Sequence, residues 1–184
     1  MIKYVVSAVA ALAVSTPALA ADFTGPRVEA RLGWETPTVS GDGDVFKLGS
    51  AVSYGGEAGY DLKAGRNVTV GAYGSFEQSS VKDCEDGFCL KVDHNWQLGG
   101  RVGLSFGRAV AYAKLGYSNI RLSAEADGVS DHESKGGVGG GIGVDVNAGK
   151  RLYWGVEANY SDFGKFEGIN LQRRQVAAKV GVRF

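Results

Sequence analysis

Of the side chains that most often carry acid/base, nucleophilic or metal chemistry, the 184-residue chain has two histidines, His94 and His132, and two cysteines, Cys84 and Cys89. The tightest grouping is His132-Glu133-Ser134, where an imidazole and a hydroxyl two positions apart could act as base and nucleophile. That segment falls in an expected loop, and three such residues meet there readily by coincidence. His94, between Asp93 and Asn95, opens a segment on its apolar side, a place that suits an interface better than a catalytic base. Ser40-Gly41-Asp42-Gly43-Asp44 has carboxylates but lacks the further ligands and closing glutamate of a calcium loop, so a solvated turn is expected. Cys84 and Cys89 would fill half of a zinc shell, and no CxxC or HxxxH stands near to complete it. In an exported chain such an isolated pair is expected to form a disulfide, clamping a hairpin tip around Asp86-Gly87. No catalytic residue, cofactor or metal site is expected.

Charged residues at alternate positions are the other candidates. Glu29, Glu57, Asp145 and Glu157 share one face of their segments with Arg31, Arg101, Lys114 and Lys179. The acids and bases balance, and inside a narrow space they are expected to pair, because an unpaired charge there costs several kcal/mol, of order 3–5 for a broken pair. Such a network would fill and seal the space it occupies.

The elements that position these charges are two-faced strands. In 176–184 a period of two collects Val176, Ala178, Val180, Val182 and Phe184 on one face, whereas helical spacing scatters them. The same pattern recurs at 27–35, 48–60, 68–78, 92–106 (Val92, Trp96, Leu98, Val102, Leu104 and Phe106 on the apolar face), 109–121, 138–148, 152–160 and about 171–184, which makes eight strands. Links between them alternate in length: long at 37–46, 79–91, 122–136 and 162–170, short at 61–66, 106–108 and 147–151. Short turns at one end and long loops at the other are the pattern of outer-membrane barrels. Strands of this length suit a tilted span, which needs about 9–11 residues in hydrocarbon.

The N-terminal MIKYVVSAVAALAVSTPALA reads as a secretory signal peptide, with cleavage expected between Ala20 and Ala21. Thr16 and Pro17 interrupt its apolar run too early for a transmembrane helix. The expected domains are thus 1–20, signal peptide, and 21–184, barrel. Twenty Lys and Arg against twenty Asp and Glu give no basic excess, and nucleic acid is not an expected partner.

A soluble lipocalin-type barrel also has eight strands, but it turns its apolar face inward. Here the apolar face carries Val, Leu, Trp and Tyr and almost no charge, while Gly, Ser, Asn and charges fill the other, as an eight-stranded lumen requires. Trp34, Tyr54, Trp96, Tyr117, Trp154, Tyr160 and Phe184 all lie on the apolar face and suit interfacial girdles.

On these residues the sequence resembles the OmpA/OmpX-type eight-stranded outer-membrane barrels and the related opacity-type surface proteins, over 21–184. The ending VAAKVGVRF is the most specific mark. The resemblance implies an all-β, antiparallel, up-and-down transmembrane barrel in the outer membrane of a Gram-negative bacterium. It implies contact with outer-membrane lipids and lipopolysaccharide, and an assembly signal at Val180, Val182 and Phe184 read by the outer-membrane assembly machinery. It further implies a structural or surface-interaction role, with loops that meet an extracellular ligand. A narrow porin-like channel is the alternative, and a lipid A-modifying enzyme a second one. A His-x-Ser pair also occurs in outer-membrane lipid A deacylases, but their third residue is a Glu, and Asp145 is neither a Glu nor at the corresponding place, so no enzyme is expected.

Overall fold

A strand satisfies none of its backbone groups alone and about half of them with one neighbour, so in hydrocarbon every strand must be paired on both sides with no edge left open. The computed structural model describes residues 23–41, 44–47, 50–80, 82–85, 88–126, 129–166 and 169–184. Eight long strands form the wall: β1 (Gly25–Gly41), β3 (Ala51–Lys63), β4 (Val68–Ser79), β6 (Phe88–Phe106), β7 (Ala109–Ala126), β8 (Val129–Asn147), β9 (Leu152–Phe166) and β10 (Ile169–Arg183). Two short strands, β2 (Asp44–Lys47) and β5 (Lys82–Glu85), fold back on β1 and β6. All pairings are antiparallel between chain neighbours, and β10 closes on β1 from Arg27↔Arg183 to Ser40↔Asn170. The result is a closed eight-stranded up-and-down barrel.

The short turns are tight. Ala64 N–H donates to the Val68 carbonyl at 2.9 Å, Ala148 N–H to that of Leu152 at 2.9 Å, and Gly107 takes the left-handed φ of 60° that the β6–β7 turn demands.

At the opposite end the structure corrects the expected loops. Residues 122–136 are mostly strand, β7 and β8 staying in register out to Ala126↔Val129. Paired strand also enters the spans 37–46, 79–91 and 162–170. The Asp42-Gly43 part of the expected turn and the signal-peptide junction Ala20/Ala21 lie outside the described residues. At the other end β3 runs on to Lys63, so Asp61 is a strand residue facing inward and not part of a turn. β6 is 19 residues long, roughly twice the 9–11 that a span needs, so its outer half stands beyond the hydrocarbon.

Alternation decides which solvent each face meets. Leu115 and Ile142 are 66% exposed, while Arg27, Asp145 and Glu35 are 1% or less. In water this would expose the oil and bury the charge. Only hydrocarbon outside makes the arrangement favourable. Trp96 and Phe106 stand ten residues apart on the outer face of β6. At about 3.3 Å per residue and a 35–45° tilt they are roughly 25 Å apart in height, the height of the apolar band of such barrels.

Parity is interrupted at two places, one between β9 and β10, where the register shifts between Asn170 and Gln172, and one in β6. The register between β6 and β7 shifts between Val92 and His94. This bulge turns Val92 inward, to 3% exposure, where alternation placed it on the lipid face. Val92 packs with Ile120 and Phe163, flanked by Ala51 and Leu171, as an apolar cap inside the long-hairpin end.

Candidate functional site

The inner face assembles the charges. β1 contributes Arg27, Glu29, Arg31 and Glu35; β3 Glu57 and Asp61; β4 Glu77; β6 Arg101; β7 Lys114; β8 Asp145; β9 Glu157; β10 Arg173, Lys179 and Arg183. All are buried, and acids and bases again balance. The eight residues expected from the sequence lie in this lumen together. Six more join them: Arg27, Glu35, Asp61, Glu77, Arg173 and Arg183. All but Arg173 and Asp61 were already on the inward face of the alternation.

Arg31 is the hub. Its guanidinium donates to Glu157 at 2.5 Å, Glu57 at 2.8 Å, Glu77 at 2.8 Å and Glu29 at 3.3 Å, joining carboxylates from four strands. Lys114 reaches Glu157 at 2.6 Å and Glu57 at 3.0 Å; Lys179 reaches Asp145 at 2.9 Å and Glu29 at 3.1 Å. Towards the short turns Arg27 meets Glu57 at 2.7 Å and Asp61 at 3.2 Å, and Arg101 meets Asp145 at 3.3 Å. Towards the long hairpins Arg173 bridges Glu35 and Glu77, the latter at 2.7 Å. Gln175 adds a hydrogen bond to Glu77 at 2.8 Å.

Three tyrosines fill the space between the charges. Tyr112 Oη donates to Glu157 at 2.5 Å, and its ring lies beneath Arg101 (4.1 Å) and Lys179 (4.5 Å). Tyr153 Oη donates to Glu29 at 2.7 Å under Arg183, and Lys114 stands over Tyr73 at 4.8 Å. Glycine makes room for them, since a Cβ at Gly143 would come within 2.3 Å of Tyr112 Oη. Gly143→Val is therefore expected to push the phenol off Glu157 and cost about 1–3 kcal/mol, as overpacking does. The urea midpoint of the barrel in lipid vesicles reads this directly.

The remaining sequence candidates are placed elsewhere. Ser134 is exposed on β8 opposite Arg121, in strand where a loop was expected; the side chain of His132 lies outside the described residues. Asp145 is committed to Lys179 and Arg101 deep in the lumen, so Ser134 and Asp145 do not form one site. His94 faces outward, stacked on Phe76 at 5.3 Å. Cys84 and Cys89 are backbone partners across the β5–β6 ladder, and their side chains lie outside the described residues. Val180 and Val182 face outward on β10, and so does Phe184 just past its end.

A closed barrel with a charged interior and an apolar belt is a transmembrane β-barrel. The chain belongs to the outer membrane protein beta-barrel domain family, whose model matches residues 6–184. Its fold is similar to that of Ail, the attachment invasion locus protein of Yersinia pestis, solved with the heparin analogue sucrose octasulfate: 18% identity, 85% of this chain and 99% of that one, TM-score 0.55. Neisserial surface protein A gives 15% identity over 85% and 97% of the two chains, with a TM-score of 0.53. OprG from Pseudomonas aeruginosa gives 11% over 89% and 98%, with a TM-score of 0.54. No curated protein sequence matches significantly, so the family and the shared fold carry the comparison. The family places the chain in the outer membrane.

Proposed function

We propose that the protein is a non-enzymatic surface scaffold: a sealed barrel that anchors four long hairpins outside the cell, where they meet an extracellular ligand. The observation that carries this reading is the filled lumen. Balanced ion pairs occupy its length, and Val92, Ile120 and Phe163 close its outer end. An ion entering would have to break pairs that already satisfy one another, which costs several kcal/mol for each buried partner left alone, of order 3–5. That Ail, a barrel of the same fold, was solved with a heparin analogue supports a ligand for this barrel as well.

The lumen also offers one observation for a narrow channel. The Arg183 guanidinium, buried near the short turns, makes no hydrogen bond among the described residues and stands 3.6 Å from Asp61. Planar-bilayer recording separates the two readings. The scaffold predicts no steady ohmic steps from the purified barrel, and reproducible large steps would overturn it.

Three accessory features belong to this reading. The leader is removed between Ala20 and Ala21. Cys84 and Cys89, paired across β5 and β6, form a disulfide that stiffens the second hairpin. Val180, Val182 and Phe184 are the strand face that the assembly machinery reads.

A further inference from the structure

Two hollows lie one above the other on the outer wall of β1, β3, β4 and β6. The upper, about 380 Å³, is at the long-hairpin end and is lined by Tyr54, Gln78, Lys91, Asp93 and His94 among others. The lower, about 400 Å³, is an apolar groove on the lipid face, bordered by Val28, Trp96 and Leu98 and floored by Gly56, Ala58 and Gly74. Their lining residues are near neighbours along β4 and β6. Phe76 and Trp96 are direct cross-strand partners, each two residues from the next pair outward, Gln78 and His94. His94 is in turn paired with Arg121 on β7. Arg121 is exposed and makes no hydrogen bond or ion pair among the described residues. Asp93, the acid in the upper hollow, accepts a hydrogen bond from Ser123.

The arrangement is amphipathic in the order a lipid requires. A groove floored by residues without bulk admits a hydrocarbon chain closer to the wall than the flanking leucine and valine do. The aromatic pair Phe76 and Trp96 sits between them, and further outward stand imidazole, amide and guanidinium donors suited to phosphate. We infer that this wall holds one molecule of lipid A, with a phosphate on His94, Gln78 and Arg121 and one acyl chain lying over Gly56, Ala58 and Gly74. The inference rests on the reading above only in its orientation, which puts the long hairpins, and so the upper hollow, in the outer leaflet.

The test uses barrel refolded in detergent and titrated with bis-phosphorylated lipid A, with bound lipid counted by native mass spectrometry. One lipid A per barrel is expected. Dephosphorylated lipid A is expected to bind about tenfold more weakly, the loss of one charge-assisted phosphate contact, and phosphatidylglycerol is expected to bind more weakly as well, because its single diester phosphate carries less charge than a lipid A monoester. Arg121→Gln and His94→Gln should each lower lipid A occupancy. Ala58→Phe, which fills the groove from an exposed position, should lower it as well. Heat-dependent gel migration verifies that each variant is folded. Phosphatidylglycerol competing equally, or Arg121→Gln and Ala58→Phe binding as the parent does, would overturn the inference. Because the readout is lipid stoichiometry, it is independent of conductance. Silent bilayers with no retained lipid A refute this site alone, and ohmic steps with retained lipid A refute the sealed scaffold alone.

Discussion

Arg31→Met is expected to lower the stability of the folded barrel by about 3–5 kcal/mol, the cost of leaving buried charge without its partner. The side chain sits within ion-pair distance of Glu29, Glu57, Glu77 and Glu157. Removing it leaves the lumen with one uncompensated negative charge. The remaining cations, already committed to other carboxylates, cannot neutralise four sites at once. Unfolding in urea from lipid vesicles, followed by gel migration, measures the loss. The companion variant Arg31→Met/Glu157→Gln restores charge balance and should recover most of the lost stability, although Lys114 and Tyr112 then meet an amide. A single variant as stable as the parent would mean that water solvates the lumen and that the pairs contribute little. The sealed-scaffold reading would then lose its main support.

Phe184→Ala is expected to reduce the amount of protein in the outer membrane severalfold while leaving the refolded barrel close to the parent in stability. The Phe184 ring is 65% exposed on the lipid side, and its backbone N–H donates to the Pro26 carbonyl at 3.0 Å, a bond that alanine keeps. Truncation at an exposed lipid-facing position removes little packing. A loss seen in cells and absent from refolding therefore assigns the ring to recognition during assembly. Equal outer-membrane levels of the two proteins would refute that assignment.

Legibility in the sequence followed the solvent. Within the hydrocarbon band one face of each strand meets lipid and the other meets the lumen, so residues such as Ala30/Arg31 and Val180/Lys179 alternate cleanly, and both strands and faces could be read. Beyond the band both faces meet water, the contrast fades, and the outer ends of β7 and β8 were taken for loop although their backbones remain paired. Arg173 lay in that outer region and was not singled out. The bulge near Asp93 is a second kind of failure. It has no glycine or proline to mark it, and it moves Val92 from one face to the other. Charge pairing was legible as a balance but not as a geometry. Nothing in the spacing of Arg31 says that it reaches β9, because that depends on barrel diameter and side-chain length.

The reach of these pairs has a consequence in time. Lys179 bonds Glu29 across 150 positions of chain, and Arg31 bonds Glu157 across 126. Neither contact can exist in a partly synthesised or partly curled sheet, since loop closure must come before such distant groups can meet. Until β10 docks on β1, the inner face is a polar surface that must stay hydrated. Expulsion of its water, capture of the ion pairs and sealing of the edge therefore coincide in one late event, and a barrel halted before it is an open sheet with a wet, charged face.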